Sequence, residues 1–209
     1  MKKLVVIGGG GHAKVVINIL HRCPEFEVIG CIDPAPAKRR VLDVDVIGGD
    51  TILSQLYAEG ISHAFVAIGD NARRASVGNE ICKLGFKLAT LISPTATIAL
   101  GTVLGAGVAI MDGVVIQPDA LIGESSIINT KASVDHDCII ERDVHIAPGC
   151  TLAGGVHVES LAFLGAGTVA IPGVRIGSGS VIGAGAVITG DIPSGVIAVG
   201  VPARVVRRL

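Results

Sequence analysis

The segment SVDHDC, residues 133–138, places one histidine between two carboxylates. A neutral imidazole can take a proton near pH 7, and a neighbouring carboxylate raises its basicity and fixes its tautomer. His136 is therefore a candidate general base, with Asp135 or Asp137 as the residue that orients it. The same side chains could instead hold a metal ion or form a solvated turn. The predicted structure around them is needed to distinguish these three possibilities.

A second candidate site lies near the N-terminus, where GGGGHA at residues 8–13 follows an apolar run and precedes a helical pattern. Glycines at the start of a helix favour phosphate binding. With Asp33 farther on, the segment also fits the dinucleotide-binding pattern G-x-G-x-x-A. An α/β unit of about ninety residues is small for both halves of NAD, so a smaller phosphate-bearing ligand is the better fit.

The composition limits what the protein can be. Half of its 209 residues are hydrophobic, yet it has no Trp, one Tyr and four Phe against 29 Gly. Such a core suits a narrow interior lined by Val, Ile, Leu and Ala. The formal net charge is −1 without a basic run, and no segment approaches the ~18 consecutive apolar residues of a membrane span. We therefore expect neither nucleic acid nor a membrane as a partner.

Apolar runs alternate with helical patterns as far as residue 93. The runs predict strands at residues 4–9, 27–32, 63–69 and 87–92. The helical spacing between them predicts helices at residues 12–22, 51–59 and 71–84. Asp50 and Asp70 are the expected helix-start residues. This alternation predicts a small parallel α/β domain over residues 1–93.

From residue 94 to the end of the chain the hydrophobic period becomes six. Sixteen positions, taken every six residues from Ile98 to Ile188, carry Ile, Leu or Val, except for Ala170. A small or β-branched residue stands two places before each. Inward residues two apart make a short strand, and three strands with three corners close a triangular coil of eighteen residues. Residues 94–209 are thus predicted to form about five coils of a parallel β-helix and a C-terminal tail.

This architecture carries two further expectations. Glycines just after the inward residues should supply permissive backbone at the corners: Gly105, Gly123, Gly165, Gly177 and Gly183. Apolar residues on the outer faces should be exposed in one chain and buried between subunits: Val103, Val115, Leu121, Ile127, Ile139 and Phe163. An assembly with three-fold symmetry matches the triangular cross-section of the β-helix, so we expect a homotrimer.

The coil also weighs against a metal site. His136 and His145 are nine residues apart, one and a half hexads, which does not give them equivalent positions on stacked coils. His157 lies farther along the coil. Five cysteines, odd in number and without a CxxC pair, indicate reduced thiols and a cytoplasmic protein.

A hexapeptide β-helix behind a small α/β domain that opens with GGGGH resembles the NeuD/PglD family of sugar acyltransferases. The matching segments are GGGGH at 8–12, AIGDN at 67–71, INTKASVDHDC at 128–138, HIAPGCTLAGG at 145–155 and GVPAR at 200–204. The resemblance implies a left-handed β-helix. It also implies transfer of an acetyl group from acetyl-CoA to a sugar, commonly to the 4-amino group of a nucleotide-linked deoxysugar.

The resemblance also assigns residues. It makes His136 the general base and favours Asp137 as its partner, although Asp135 is equally close in sequence. Asn129 would lie near the acceptor. The nucleotide-sugar residues would be Gly8, Gly10, Gly11, His12, Asp33, Gly69, Asp70 and Asn71. The coenzyme residues would be His145, Gly154, Gly165, Ala166, Gly183 and Ala184, with His145 against the thioester.

We therefore expect an acetyl-CoA-dependent N-acetyltransferase acting on a nucleotide-linked amino sugar, by direct attack on the thioester and without a metal. A sialic acid or other sugar O-acetyltransferase and a non-catalytic β-helix scaffold are the alternatives. Many relatives have two acids at the end of the second strand, whereas Asp33 is followed here by Pro34. This departure leaves the nucleotide open, and the sequence does not distinguish acetyl from a longer acyl group.

Overall fold

Strands and helices alternate through Met1–Pro94, the first of two units into which the chain divides. The structure, a computed structural model, describes residues 1–34 and 40–209. The strands of this unit are β1 (Lys2–Ile7), β2 (Phe26–Ile32), β3 (Arg40–Val41), β4 (Val44–Gly48), β5 (His63–Val66), β6 (Lys87–Leu88) and β7 (Leu91–Ile92). The helices are α1 (Gly11–Leu20), a 3-10 turn (Asp50–Ile52), α2 (Leu53–Ala58) and α3 (Asn71–Lys83).

Six strands of this unit form one sheet in the order β3-β4-β2-β1-β5-β6. All neighbours are parallel except β3 and β4, an antiparallel pair that the apolar pattern did not predict. Residues 4–7 of the central strand β1 are buried, as expected for a parallel strand covered on both faces. The carboxyl ends of β4, β2, β1 and β5 therefore share one edge. No helix among the described residues is long and apolar enough to cross a membrane.

The two expected helix-start residues both lie where a helical segment begins. The Asp70 carboxylate accepts a hydrogen bond from the Arg73 N–H at 2.8 Å and caps α3. Asp50 is the first residue of the 3-10 turn, directly after Gly49, and its side chain forms no capping hydrogen bond.

The second unit, Thr95–Leu209, is built from two-residue strands that recur every six residues. They are β8 (Thr97–Ile98), β9 (Val103–Leu104), β10 (Ala109–Ile110), β11 (Val115–Ile116), β12 (Leu121–Ile122), β13 (Ile127–Ile128), β14 (Ser133–Val134), β15 (Ile139–Ile140), β16 (His145–Ile146), β17 (Thr151–Leu152), β18 (His157–Val158), β19 (Phe163–Leu164), β20 (Val169–Ala170), β21 (Arg175–Ile176), β22 (Val181–Ile182) and β23 (Val187–Ile188). A hairpin, β24 (Val196–Val199) and β25 (Arg204–Arg208), follows.

From β8 to β20, each short strand pairs in parallel with the strand eighteen residues later, as Val134 does with Leu152. Three sheets result, one through β8, β11, β14, β17, β20 and β23, one through β9, β12, β15, β18 and β21, and one through β10, β13, β16, β19 and β22. The predicted parallel β-helix is confirmed. From Ile110 to Ile188 every residue of the inward series is at most 2% exposed, while Ile98 and Leu104 in the first coil are half-buried.

The outer faces differ from the prediction in part. Val103, Leu121 and Ile139 are 58%, 43% and 40% exposed, and strand pairing stacks them in register as one apolar stripe. Val115 and Phe163 are only half-buried. The prediction for Ile127 was wrong, because it is 1% exposed within the single chain. Of the six predicted residues, the three on the sheet that contains β9, β12 and β15 are therefore the exposed ones.

At the corners, two different positions of the six-residue repeat favour glycine, one because its backbone is left-handed and the other because adjacent coils pack closely there. A left-handed backbone recurs every six residues from Gly101 to Gly185, with Gly at nine of these positions and Asp119, Ser125, Lys131, Asp137, Asp143 and Leu161 at the others. The predicted corner glycines are not in this series. Gly123 is needed for another reason, since a Cβ there would lie 2.5 Å from the backbone N of Arg142 in the next coil.

The close approach of coils at Gly123 can be tested with Gly123→Ala. A methyl group at this position forces the two coils apart, and such overpacking typically destabilises a protein by about 1–3 kcal/mol. For a chain of this size, the melting temperature should fall by roughly 2–10 °C. Gly190→Ala is the control, because a Cβ there meets no atom within 4 Å. Equal melting temperatures for the two variants in calorimetry would contradict this account.

Candidate functional site

His136 lies on a corner that the neighbouring coils hold on both sides. The corner follows β14, and the His136 N–H donates to the Asp135 carboxylate at 2.8 Å. The His136 carbonyl accepts from Gly155 N–H at 2.9 Å, and Asp137 N–H donates to the Pro118 carbonyl at 3.2 Å. Asp137 has a φ of 58°, within the left-handed region. The backbone that carries the candidate base is thus fixed by coil stacking.

The side chains of His136 and Asp137 form a hydrogen-bonded pair. Nδ1 of His136 lies 2.7 Å from Oδ2 of Asp137, and the two side chains are 60% and 68% exposed. Because a carboxylate only accepts, Nδ1 carries the proton and Nε2 is the basic nitrogen. The part of the chain that the structure describes gives Nε2 no hydrogen-bond partner. The pair therefore presents an accessible basic nitrogen of fixed tautomer.

Gly154, one coil beyond His136, leaves the space in which the imidazole lies. A Cβ at Gly154 would be 2.5 Å from Cε1 and 2.6 Å from Nε2 of His136. Any side chain at this position would displace the ring. The residue that the resemblance assigned to the coenzyme thus lies directly against the candidate base.

The two acids beside His136 have different contacts. The pKa of His136 is raised above its usual value, chiefly by the hydrogen bond from its ring to Asp137, while partial desolvation opposes this and the charge of Asp135 adds to it. Asp135 uses its carboxylate to accept the backbone N–H of His136 and does not contact the ring nitrogen as Asp137 does. The geometry favours Asp137 as the orienting acid.

Asn129 and His145 form a second pair. The Asn129 side-chain oxygen accepts from Thr130 N–H at 2.8 Å, so its amide nitrogen faces Nε2 of His145 at 3.1 Å and donates to it. This arrangement puts the His145 proton on Nδ1. His145 is 8% exposed, and its ring meets the edge of Phe163 at a centroid distance of 5.2 Å. Because β16 and β14 belong to different sheets, this pair lies on another face of the coil than His136.

The remaining residues assigned to the coenzyme lie at a third place. Gly165 and Ala166 follow β19, and Gly183 and Ala184 follow β22 one coil later on the same sheet. A Cβ at Gly165 would come within 2.6 Å of the Ala184 N, so the two coils touch there. Ala166 and Ala184 are exposed. The structure brings these four residues together on one corner, whereas Gly154 lies on the corner of His136.

A cavity of about 490 Å³ beside β2 is lined by none of the residues that the resemblance assigned. A second cavity, of about 320 Å³, opens at the carboxyl edge of the first sheet. It is lined by six of the residues assigned to the nucleotide sugar, Gly8, Gly10, Gly11, His12, Asp33 and Gly69. Asp70 and Asn71 do not line it. The sequence missed Gly9, whose N–H donates to Asp33 at 2.6 Å, and two charged lining residues, Asp50 and Arg73.

His12 and Arg74 fix the character of this cavity. Burial, followed by the positive charge of Arg74, lowers the pKa of His12 to about 4, so the imidazole is neutral at physiological pH. Arg74 is 2% exposed and donates to the carbonyls of Ile68 and Gly69 at 3.1 and 3.2 Å. It also donates to Asn71 Oδ1 at 2.8 Å. Arg74 therefore holds the AIGDN loop, a role that no motif in the sequence indicated.

The histidines of the coil have separate partners. His157 Nε2 lies 2.9 Å from Glu141 Oε1, apart from the pairs made by His136 and His145. Within residues 1–34 and 40–209, no three His, Cys, Asp or Glu side chains form a group that could hold a metal ion.

Comparison with known proteins gives matches over both units. Residues 3–81 match the PglD N-terminal domain, and residues 119–154 match six bacterial transferase hexapeptide repeats. Perosamine N-acetyltransferase from Caulobacter crescentus, solved as a histidine-to-asparagine mutant with CoA and GDP-perosamine, is 47% identical over 98% of this chain and 96% of that one, with a TM-score of 0.95. The acetyltransferase domain of PglB from Neisseria gonorrhoeae, solved with acetyl coenzyme A, is 36% identical over 98% and 99%, with a TM-score of 0.93.

A shorter similarity links the chain to curated acetyltransferases. The galactoside O-acetyltransferase of Lactococcus lactis is 52% identical over 53 residues, 25% of this chain and 26% of that protein. The chain thus spans about a quarter of the length of the curated relatives it matches. Together with the stacked strands, the full-length matches confirm the predicted fold, an α/β domain followed by a left-handed parallel β-helix.

The His136–Asp137 contact predicts a measurable titration. NMR of the ring protons should give His136 a pKa above the usual 6.5. Asp137→Asn should lower it, because the neutral amide no longer stabilises the imidazolium. Asp135→Asn should lower it less, because its effect is through charge alone. A larger shift in Asp135→Asn than in Asp137→Asn would reverse the assignment of the orienting acid.

Proposed function

The chain belongs to the NeuD/PglD-like family of sugar acyltransferases, and we propose that it transfers the acetyl group of acetyl-CoA to the amino group of a nucleotide-linked 4-amino-deoxysugar. The observation that carries this proposal is the 47% identity, over 98% of the chain, to an enzyme solved with CoA and GDP-perosamine. A GDP-linked amino sugar is therefore the first substrate to test. Because acetyl-CoA and nucleotide sugars are cytoplasmic metabolites, we assign the reaction to the cytoplasm.

In the proposed reaction, the sugar amine attacks the thioester carbonyl directly. The C–N bond forms as Nε2 of His136 takes a proton from the amine, and the C–S bond then breaks to release CoA, whose thiolate takes that proton back from the imidazolium. Asp137 stabilises the imidazolium through the 2.7 Å contact at Nδ1. Because the pKa of His136 is raised, the ring is a stronger base than an isolated histidine. No covalent acyl-enzyme is required.

The other assigned residues take supporting roles in this proposal. His145, held by Asn129, is assigned to the thioester, where negative charge develops on the carbonyl oxygen during attack. Because His145 lies on another face of the coil than His136, this role requires that a second subunit of the proposed homotrimer bring the two faces together. The exposed corner at Ala166 and Ala184 is assigned to the coenzyme, since small side chains let a ligand approach the coil. The nucleotide is assigned to the cavity at Gly8–His12, where the start of α1 favours phosphate.

Sugar O-acetylation is the second candidate, because a 53-residue stretch of the chain matches a galactoside O-acetyltransferase. The two activities share the base and the coenzyme and differ in the acceptor atom. A comparison of GDP-perosamine with GDP-rhamnose, which has a hydroxyl at the 4-position, separates them. Acetyl transfer to the hydroxyl sugar alone would favour O-acetylation.

The proposed base is tested with His136→Ala. A positioned general base typically contributes about 10²–10⁴-fold, so kcat should fall by this factor while KM changes little. Release of free CoA thiol from acetyl-CoA is measured with GDP-, UDP- and dTDP-linked 4-amino sugars.

The matched control is His21→Ala, an exposed histidine 3.4 Å from Asp43 in the first unit, which should retain full activity. Calorimetric titration should show that His136→Ala still binds CoA. Activity of His136→Ala within about threefold of wild type would remove His136 from the mechanism. No thiol release by the wild type with any of these sugars would contradict the proposed function itself.

The apolar stripe supports a homotrimer, because Val103, Leu121 and Ile139 expose a continuous hydrophobic surface on one sheet. Light scattering at micromolar concentration should give three times the mass of the chain. Leu121→Asp should lower the mass, since a buried unpaired carboxylate opposes association, while Thr151→Asp, on another sheet, serves as the control. A monomeric wild type would contradict the proposal.

A further inference from the structure

The two carboxylates beside His136 have different tasks. Asp137 bonds the ring at Nδ1. Asp135 accepts the His136 backbone N–H through Oδ1 at 2.8 Å, and the described part of the chain gives its other oxygen, Oδ2, no donor. None of the ion pairs among the described residues includes Asp135. Asp135 therefore has one carboxylate oxygen that neither the corner nor the proposed base uses.

The carboxylate of Asp135 is held on the same corner as the ring of His136. Strand alternation places Val134 inside the coil and Asp135 outside it. Asp135 N–H donates to the Leu152 carbonyl at 3.0 Å, which fixes its backbone. The pKa of His136, raised chiefly by the hydrogen bond with Asp137, is raised further by the charge of Asp135. Oδ2 of Asp135 and Nε2 of His136 are thus two hydrogen-bond acceptors on one corner.

The next coil leaves room for a ligand at these two acceptors. The pairing of β14 with β17 gives Ala153 and Gly154 the positions equivalent to Asp135 and His136. Both are only partly buried, and neither has a side chain larger than a methyl group. An acceptor atom on a sugar ring can therefore approach both Oδ2 of Asp135 and Nε2 of His136.

Building on the proposed function, we propose that Oδ2 of Asp135 accepts a hydrogen bond from the acceptor nitrogen and thereby selects an amine over a hydroxyl. A neutral amine has two hydrogens and one lone pair. One hydrogen faces Nε2 of His136 and is the proton that the base removes, while the lone pair attacks the thioester carbon. The other hydrogen faces Asp135 and stays on nitrogen in the amide product. Asp135 is thus a specificity residue, and His136 remains the base.

A hydroxyl group cannot satisfy the same two acceptors, because it has a single hydrogen. An ionised carboxylate only accepts, and it is a stronger acceptor than a neutral imidazole. The hydrogen of a bound hydroxyl therefore turns to Asp135 and away from the base that has to remove it. Sites that bond the hydrogens of a substrate reject analogues that lack one of them.

The same contact acts on the charge of the attacking atom. As an amine adds to the thioester, its nitrogen becomes positive until Nε2 of His136 takes the proton. A carboxylate at the other N–H stabilises this developing charge. Asp135 should therefore increase kcat/KM for an amine as well as its binding.

Asp135→Asn tests this role, because the corner decides which way the new amide points. The His136 N–H needs an acceptor, so the amide oxygen replaces Oδ1 and the NH2 group replaces Oδ2. A donor then faces the acceptor atom, which opposes an N–H but suits the lone pair of a hydroxyl. The hydrogen of the hydroxyl is left for Nε2, so transfer to the hydroxyl should increase.

The 4-amino sugar that the wild type acetylates is compared with its 4-hydroxy counterpart on the same nucleotide, as GDP-perosamine is with GDP-rhamnose. Asp135→Asn should lower the amine-to-hydroxyl ratio of kcat/KM by about 10- to 100-fold, the range for a hydrogen bond to a charged group. Calorimetry without acetyl-CoA should shift the ratio of the two Kd values in the same direction. Weakening of the base slows both acceptors alike and cancels in these ratios.

Two further variants separate the contact from the loss of charge. Asp135→Ala removes the acceptor without adding a donor, so it should lower the ratio less than Asp135→Asn does. Asp119→Asn is the matched control. Asp119 is an exposed carboxylate with a φ of 60°, one coil before Asp137, and its loss should change neither the ratio nor the turnover. Thermal melting checks that all three variants are folded.

An amine-to-hydroxyl ratio that is the same in Asp135→Asn, Asp135→Ala and the wild type would overturn the role of Asp135. So would a wild type that acetylates the hydroxyl sugar as fast as the amino sugar. No thiol release by the wild type with any 4-amino sugar would refute the proposed function instead. Normal amine transfer with an unchanged ratio in the variants refutes the role of Asp135 alone.

Discussion

The in-register stacking of eighteen-residue coils is the constraint on which the second unit depends. Each outward position lies against the equivalent position of the next coil, so a side chain is placed by residues far away in sequence. The imidazole of His136 lies over Gly154 eighteen residues later, and Asn129 reaches His145 sixteen residues later. Coil stacking thus helps to set the positions of His136 and His145 in the second unit.

The same repeat explains why the orienting acid follows the base. Every sixth residue from Gly101 to Gly185 has a left-handed backbone, which costs most residues about 1–2 kcal/mol but which Asp tolerates comparatively well. Asp137 occupies one of these positions, immediately after His136. The corner turns the chain there, so adjacent side chains come within 2.7 Å instead of pointing to opposite faces as in a strand. A structural necessity of the corner therefore also creates the histidine–carboxylate pair.

The sequence predicted the features that repeat and missed those that depend on one contact. The narrow interior of the coil accepts only aliphatic residues at the inward series that includes Val134 and Ile146. The six-residue period of these residues could therefore be detected in the sequence alone. The glycine corners were misinterpreted, because close packing of coils and a left-handed backbone both favour glycine and only coordinates separate the two. Burial of Ile127 and the role of Arg74 were also missed, because each depends on neighbours that no periodic pattern identifies.

The exposure of His136 explains why its acid has to be in direct contact. Desolvation favours the neutral imidazole and lowers its pKa, whereas a hydrogen-bonded carboxylate raises it. In the single chain His136 is 60% exposed, so the contact with Asp137 prevails. When coenzyme, acceptor sugar or another subunit covers the ring, water leaves and the cost of desolvating the imidazolium grows. The attraction between imidazolium and carboxylate strengthens at the same time, because the local dielectric falls. The hydrogen-bonded carboxylate of Asp137 therefore keeps the imidazole basic once the ring is covered. The charge of Asp135, which makes no contact with the ring, would raise the pKa of His136 less.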